Sequence, residues 1–322
     1  MNVKPETELR NLPQRDAILS VIETLSGHYL KGKVRSVRLC VIALLAGGNI
    51  LLEDIPGLGK TTLALALSRV LGLSFGRIQC TSDLLPSDIT GLSIFNRDDN
   101  LFTFIRGPVF NNLVLVDEIN RAMPKTQSAL LEAMEERKVT VEGTTYDLPA
   151  PFLVVATQNP VEQVGTQPLP ESQLDRFLIC TGVGYPPEEI EKSIIRGGSI
   201  RDELKTLTPV ISTEAIMEAQ RAVRDEVLLS EKVTDYLFRI VAATRSHPLI
   251  LSGLSTRAGI NLAEAARANA YLEGRDYVIP EDVKQLVVPV GAHRIIAAAD
   301  QDGIDKEQLL RSILKEIPVP LA

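Results

Sequence analysis

A glycine-rich loop that ends in a lysine is the most informative chemical feature of the sequence. The apolar run Ile50 to Leu52 leads through Asp54 into the loop, and a helical pattern opens near Thr61. The segment follows the pattern G-x-x-x-x-G-K-[ST], in which backbone N–H groups and the lysine bind nucleotide phosphates. The residues that we expect to bind the nucleotide here are Pro56, Gly57, Leu58, Gly59, Lys60, Thr61 and Thr62.

One position departs from this pattern, because Asp54 stands where the first glycine belongs. The binding mechanism does not depend on that glycine. Gly57 and Gly59 still allow the backbone to wrap around phosphates, and the following helix adds the positive end of its dipole. Lys60 can then reach the β- and γ-phosphates. We therefore interpret the segment as a phosphate-binding loop rather than a turn that only joins a strand to a helix.

Two carboxylates follow a second apolar run. Leu113 to Val116 are apolar, and Asp117 and Glu118 come directly after them. A phosphate loop needs a carboxylate partner for Mg²⁺ at the end of a neighbouring strand, so we expect Asp117 and the Thr61 hydroxyl to hold the metal. Glu118 is the candidate general base that polarises the attacking water. Its presence favours hydrolysis; the alternative is that Glu118 only caps the turn.

A third apolar run ends in an amide. Phe152 to Ala156 are apolar, Asn159 follows shortly after them, and Pro160 comes next. An asparagine before a proline is by itself typical of a turn. A place at a strand end beside the phosphate loop gives Asn159 a second interpretation, in which it bonds the γ-phosphate or orients water.

Strand-length apolar runs alternate with helical patterns up to about residue 185. This alternation is typical of a parallel sheet flanked by helices, so we predict an α/β fold. Polar turns between β-prone runs predict two additional hairpins, over 92–105 and 138–148. The predicted strands of the sheet are Ile50 to Glu53, Arg77 to Cys80, Leu113 to Val116, Phe152 to Ala156 and Phe177 to Thr181.

The pattern changes at a cluster of turn residues, Gly182 to Pro187. Beyond it the sequence is helical almost to the end. We therefore predict a nucleotide-binding α/β domain over 1–185 and an all-α domain over 186–322. The predicted helices of the second domain are Thr213 to Val223, Ser230 to Ser246, Ser255 to Glu273, Pro280 to Val288 and Asp305 to Glu316.

Composition narrows the class of protein. Of 322 residues, 45% are hydrophobic and 23% are charged, the balance of an ordinary globular protein. The net charge of −7 and the absence of tryptophan argue against nucleic acid as a partner. Three scattered cysteines indicate neither a disulfide framework nor a zinc site, so we expect a reducing, cytoplasmic setting. No secretory signal and no apolar run long enough to span a bilayer is visible.

The order of these features resembles the AAA+ ATPases, and four stretches narrow the resemblance to the MoxR family. It covers nearly the whole chain from about residue 20. An aspartate is among the residues seen in this family's loop, so Asp54 does not count against ATP binding. The four stretches are Asp117-Glu118-Ile119-Asn120-Arg121-Ala122, the helix Pro124 to Arg137, Ala156-Thr157-Gln158-Asn159-Pro160 and Gln173-Leu174-Asp175-Arg176-Phe177.

The resemblance implies roles that spacing alone does not assign. Asn159 would be sensor 1, and Arg176 would be the arginine finger that reaches the γ-phosphate bound by a neighbouring subunit. Arg257, at the start of a helix of the all-α lid, would be sensor 2. The family more often has Ser-Pro-Arg at this place, and here Thr256 replaces the proline. Whether Arg257 acts in cis or in trans is left open.

The resemblance also implies an assembly and a biological role. An arginine finger supplied in trans implies a ring, which we expect to be a hexamer. The two hairpins resemble the helix-2 insert and the pre-sensor-1 hairpin, which face the pore, and Gln79 is a candidate switch residue that holds Glu118 away from water. The implied function is Mg²⁺-dependent ATP hydrolysis that drives chaperone-like remodelling or maturation of a client, with a partner that carries a von Willebrand factor A domain.

Three other functions stay open. An AAA+ nucleic-acid motor or loader carries the same hairpin inserts, although the acidic balance argues against it. The motor subunit of a metal chelatase is a close architectural relative, and only the MoxR-like stretches distinguish it. The third is a nucleotide-dependent scaffold that does not hydrolyse ATP, against which Asp117, Glu118 and Arg176 argue.

Overall fold

The structure is a computed structural model that describes residues 13–97, 100–160, 166–197, 201–204, 206–298 and 304–320. Its strands are β1 (Ile50–Glu53), β2 (Phe75–Gln79), β3 (Gly91–Asn96), β4 (Leu101–Arg106), β5 (Leu113–Asp117), β6 (Lys138–Val141), β7 (Thr144–Asp147), β8 (Leu153–Gln158), β9 (Ile179–Thr181), β10 (Ile250–Ser252) and β11 (Ile296–Ala297). Its helices are α1 (Pro13–Thr24), α2 (Val34–Leu45), α3 (Lys60–Val70), α4 (Pro86–Thr90), α5 (Pro124–Glu136), α6 (Glu171–Leu174), α7 (Glu188–Gly197), α8 (Arg201–Leu204), α9 (Thr213–Asp225), α10 (Glu231–Ser246), α11 (Thr256–Leu272), α12 (Pro280–Gly291) and α13 (Lys306–Glu316). None of the described helices is both long and apolar enough to cross a membrane.

Five parallel strands form the central sheet in the order β2-β5-β8-β1-β9. The pairs β3 with β4 and β6 with β7 form two separate antiparallel hairpins. The predicted α/β fold with two added hairpins is therefore confirmed. Because the five strands are parallel, they all end at one edge, called the carboxyl edge below, and all begin at the opposite amino edge.

The sheet separates two hydrophobic cores. In β1, Leu51 packs into the core that contains α5, whereas Ile50 and Leu52 pack into the core that contains α2, α3 and the helices α9 to α12. Successive side chains of a strand point to opposite faces, so a strand that is covered on both sides needs apolar residues at every position. This burial is the physical reason for the continuous apolar runs in the sequence.

One predicted strand is shorter than expected. The prediction was Phe177 to Thr181, and β9 begins at Ile179. Phe177 belongs instead to the turn after α6, where its N–H donates to the Leu174 carbonyl at 3.1 Å. Its own carbonyl accepts a hydrogen bond from the buried guanidinium of Arg294. The backbone of Phe177 therefore bonds to the turn and to the Arg294 side chain, and not to a neighbouring strand.

Helices from both ends of the chain pack together. The five helices predicted after residue 186 are present, as α9 to α13. The N-terminal helices contact them directly: the Arg15 guanidinium donates to the carbonyls of Tyr271 and Leu272, both at 3.0 Å, and Arg38 donates to Asn269 at 2.8 Å. The division of the chain at residue 185 stays a prediction, and α1 and α2 are bonded across it.

A buried carboxylate organises the start of α12. Asp282 is 2% exposed and accepts hydrogen bonds from Asn269 at 2.7 Å, from the Ile279 N–H at 2.9 Å and from two guanidinium nitrogens of Arg275, each at 2.7 Å. Arg38 on α2 also donates to Asn269. One acid therefore connects α2, α11 and α12.

We expect Asp282→Ala to lower the free energy of unfolding by about 3–5 kcal/mol, because the buried Asn269 amide and the partly buried Arg275 guanidinium lose their acceptor. Urea unfolding followed by circular dichroism measures the change. The matched control is Glu281→Ala, since Glu281 is the exposed neighbour of Asp282, and its effect should stay within about 0.5 kcal/mol. Equal losses in the two variants would contradict the role of Asp282.

Candidate functional site

The phosphate loop lies between β1 and α3 at the carboxyl edge. Gly57 has φ +88° and Gly59 has φ +92°, values that favour glycine because a side chain would clash with its own backbone. A β-carbon built at either position meets no other protein atom within 4 Å. Both glycines therefore face open space beside the N-terminus of α3, which is an arrangement that suits a phosphate group.

Lys60 is the first residue of α3, and its ammonium lies over the ends of two strands. Its Nζ donates to the carbonyl of Asp54 at 2.5 Å and to the carbonyl of Gln158 at 3.3 Å. Partial burial lowers the pKa of Lys60, while the charges of Asp54, Asp117 and Glu118 oppose that shift. The cation is thus placed among acceptors that a phosphate could replace.

The two predicted carboxylates lie at the end of β5, between β2 and β8: Asp117 is the last residue of the strand and Glu118 follows it. Asp117 is largely buried and accepts from Arg77 Nε at 2.9 Å. Glu118 has φ +55°, which is uncommon for a residue with a side chain. Its N–H donates to the Thr157 hydroxyl at 2.9 Å, and that hydroxyl lies 3.5 Å from the Asp117 carboxylate. Thr157 therefore joins β8 to both acids.

Two arginines that were not predicted as site residues contact these acids. Arg121 Nη1 donates to Glu118 Oε2 at 3.0 Å. Arg77 bonds Asp117 and also donates to the side-chain oxygen of Gln79 at 3.2 Å. Arg77 and Gln79 are two residues apart in β2, so they share one face of the strand, a signal that was available in the sequence. The described residues show no hydrogen bond between Gln79 and Glu118, and the switch role of Gln79 stays a prediction.

The donor set at the carboxyl edge fits a nucleotide with Mg²⁺. Thr61, in the first turn of α3, and Asp117 offer a hydroxyl and a carboxylate, the hard oxygen ligands that this ion prefers alongside water and substrate phosphates. The side-chain oxygen of Gln158 is buried and has no hydrogen-bond partner in the described part of the chain. Asn159 follows directly and is half-buried.

Arg176 and Arg257 lie together, and a single carboxylate holds both. Arg176 Nε is 3.2 Å from one oxygen of Glu135, and Arg257 Nη2 is 2.9 Å from the other. Arg257 also lies 3.9 Å from Asp175. Arg176 lines an open cavity of about 600 Å³ between α5, α6 and the β6–β7 hairpin.

This arginine pair belongs to the amino edge, opposite the phosphate loop. Just after Glu135, Arg137 donates to the carbonyls of Gly47 at 2.6 Å and Phe152 at 3.0 Å, which precede β1 and β8. Arg176 likewise precedes β9. Since a strand rises about 3.3 Å per residue, the length of β1 alone separates the two sites by roughly 10 Å. The chain therefore does not bring its own Arg176 and Arg257 to its own phosphate loop.

The start of α11 shows how Arg257 is positioned without the proline of the family pattern. The Ser255 hydroxyl accepts from the Ala258 N–H at 3.0 Å, so Ser255 is the N-cap and the helix begins at Thr256. An N-cap serine satisfies one of the free N–H groups of the first turn. Arg257 therefore stands in the first turn of a capped helix.

Comparisons with known proteins agree with this geometry. Residues 49–179 match the ATPase family associated with various cellular activities (AAA), and residues 242–313 match the AAA lid domain. The crystal structure of a candidate ATPase from Cytophaga hutchinsonii superimposes with a TM-score of 0.88 at 39% identity, over 98% of both chains. Nucleotide binding follows from this fold.

Two sequence relatives narrow the family. The chain is 47% identical over 292 residues to the uncharacterized protein YeaC of Bacillus subtilis, and the aligned region covers 90% of this chain and 91% of YeaC. It is 40% identical over 301 residues to Chaperone MoxR1 of Mycobacterium tuberculosis, and the aligned region covers 90% of this chain and 79% of MoxR1. With a parallel sheet, a phosphate loop and a helical lid in the AAA order, the chain belongs to the MoxR family of AAA+ ATPases.

Proposed function

We propose that the chain hydrolyses ATP in a Mg²⁺-dependent reaction at the carboxyl edge. The observation that carries the proposal is the convergence of Lys60, Asp117 and Glu118 around the end of β8, which lies between β1 and β5 in the sheet. Lys60 would exchange the carbonyls of Asp54 and Gln158 for phosphate oxygens, a stronger charge-assisted bond. Thr61 and Asp117 would hold Mg²⁺, which when bound supplies charge that stabilises the transferring phosphoryl group.

Glu118 is the proposed general base. Its carboxylate would take a proton from the attacking water at Oε1 or Oε2, while Asn159 orients that water. The hydroxyl of Thr157 fixes the backbone of Glu118, and Arg121 holds Oε2 at 3.0 Å. We infer that the ion pair with Arg121 holds the Glu118 carboxylate in place until a nucleotide and a water are present.

We expect Glu118→Gln to bind ATP normally and to lose turnover by a factor of about 10²–10⁴, because an amide cannot accept the proton. Phosphate release measures turnover, and titration with a fluorescent ATP analogue measures binding. Glu231→Gln, a change of the same kind at an exposed residue of α10, is the matched control. Unchanged turnover in Glu118→Gln would refute the assignment of the base.

We propose further that Arg176 and Arg257 both act in trans, as a pair, on the nucleotide bound by a neighbouring copy. Their distance from the phosphate loop of their own chain supports this, as does the shared contact with Glu135. A face that carries arginines and an opposite face that carries the loop make a head-to-tail contact, which closes into a ring when the rotation permits. The proposed assembly is a hexamer, and Glu135 presents two guanidinium groups to each shared site.

We expect mixtures of Arg176→Ala and Lys60→Ala subunits to recover ATPase activity that neither variant has alone. In a mixed ring, some sites combine an intact loop from one subunit with an intact arginine from its neighbour. Loss of the arginine alone should cost about 10³–10⁵ in rate. Phosphate release from mixtures at several ratios measures the recovery, and mass photometry verifies mixed rings. Verified mixed rings without any recovery would contradict action in trans.

We also propose that ATP turnover drives chaperone-like remodelling of a client protein together with a partner that carries a von Willebrand factor A domain. MoxR1 is a relative that is named as a chaperone. The β3–β4 hairpin exposes Ile94, Phe95, Leu101 and Phe102, an apolar surface of the kind that marks a contact site. Phe104 of this hairpin stacks on Tyr146 of the other at 4.4 Å, so the two hairpins form one surface.

Affinity capture with Glu118→Gln in the presence of ATP tests this role. If ATP binding closes the assembly on its partners, a von Willebrand factor A protein should be enriched relative to capture with Lys60→Ala, which we expect to bind ATP poorly. A variant that replaces Phe95 and Phe102 by serine, compared in parallel, should lose the client but keep the ring. Equal recovery with all three variants would contradict the proposal.

A further inference from the structure

Asp54, the residue that departs from the phosphate-loop pattern, has a structural partner. Its carboxylate oxygen Oδ2 accepts hydrogen bonds from the N–H groups of Val183 and, at 3.1 Å, of Gly184. These residues belong to the linker, Gly182 to Gly184, which follows β9 and leads to α7. The first residue of the phosphate loop is therefore bonded to the segment at which the chain leaves the sheet.

The same linker is held from its other side by α2 and the residue before it. Lys33 is 7% exposed, and its ammonium donates to the carbonyls of Val183, at 3.3 Å, and of Gly184. The Ser36 hydroxyl donates to the Gly182 carbonyl at 3.0 Å. Burial lowers the pKa of Lys33, and the charges of Asp54 and Glu191 oppose that shift. An acid thus binds the N–H groups, and a base the carbonyls, of the same two residues.

The linker residues are suited to this close approach. A β-carbon at Gly182 would lie 3.1 Å from both carboxylate oxygens of Asp54. Gly184 has φ +68°, in the region where glycine carries little strain. A larger residue at Gly182 would push the carboxylate away from the Val183 and Gly184 N–H groups, and a larger residue at Gly184 would strain the backbone.

The contact continues into the nucleotide site through the backbone of Asp54. Lys60 Nζ donates to the Asp54 carbonyl at 2.5 Å, on the same residue whose side chain binds the linker. When Lys60 turns to a phosphate, this bond is lost. Loss of this bond therefore directly affects Asp54, the residue whose side chain makes two hydrogen bonds to the linker.

We propose that Asp54 and Lys33 are positioning residues that clamp the linker, so that occupation of the phosphate loop alters how firmly the start of the α7 segment is held. The proposal rests on nucleotide binding at this loop, as proposed above. Asp54, at the place of the first glycine, would then have a role of its own. Its side chain would couple nucleotide binding at the loop to the stability of the segment that follows the sheet. Coupling of this kind between two sites typically corresponds to a factor of about 5–150 in an equilibrium.

Hydrogen exchange at the Val183 and Gly184 amides tests the clamp in the full-length chain, with and without Mg²⁺ and the non-hydrolysable analogue AMP-PNP. In the wild type we expect AMP-PNP to change the exchange rates of these two amides by about fivefold or more. In Asp54→Asn and Lys33→Met the amides should exchange faster in both states, and the nucleotide-dependent ratio should fall to about 1.

Matched variants separate the clamp from a general loss of stability. In Asp88→Asn, a carboxylate that accepts the Leu85 N–H at 2.8 Å outside this site is altered in the same way, and the ratio should be kept. Ser36→Ala removes only one bond to the linker, and an intermediate ratio is expected, so the test stands even if a stronger variant fails to fold. A merely structural role would raise exchange throughout the chain and leave the ratio unchanged.

The outcomes distinguish this inference from the proposed function. Retention of the ratio in Asp54→Asn and Lys33→Met overturns the clamp. So does a wild type that binds AMP-PNP, in a separate titration, but exchanges these amides equally in both states. A wild type that does not bind AMP-PNP contradicts the proposed function itself, and the coupling with it.

Discussion

The parallel direction of the five central strands is the constraint on which the rest of the molecule depends. Parallel strands must all end at one edge, so the loop after β1, the acids at the end of β5 and the amide after β8 meet there although they are far apart in the chain. The same constraint sends α5 back to the opposite edge, where Glu135 holds Arg176 and Arg257. Each edge therefore carries only half of the proposed chemistry.

Much of this arrangement could be predicted from the sequence because its signals are local. The glycine-rich loop with Lys60, the acids after an apolar run and the hairpin turns each lie within a few consecutive residues. Double-sided burial of the sheet made the strands visible as apolar runs. The start of a strand was harder to predict, as β9 shows, because the Phe177 carbonyl bonds Arg294, more than a hundred residues later in the chain, and not a neighbouring strand.

The contacts that the sequence did not reveal are pairings between distant segments. In the sequence, Thr157 is one more residue of a buried strand. In the structure, its hydroxyl accepts a hydrogen bond from the Glu118 N–H. Arg77 reads as an exposed strand residue, and Glu135 as one of several acids on a helix. Asp54 is the clearest case, since it looked like a tolerated exception in the loop and proved to be bonded to Val183 and Gly184. Spacing along the chain shows which residues share a face of one strand or helix, but it does not show which distant residues will come into contact.

Glu135 forms ion pairs with two arginines that come from different parts of the chain. Arg176 comes from the segment that enters the sheet, and Arg257 from the first turn of a helix in the second half of the chain. A rotation of the helical half would move one guanidinium and leave the other in place. In the proposed ring, such a rotation would therefore change the separation of the two guanidinium groups that each subunit presents to its neighbour.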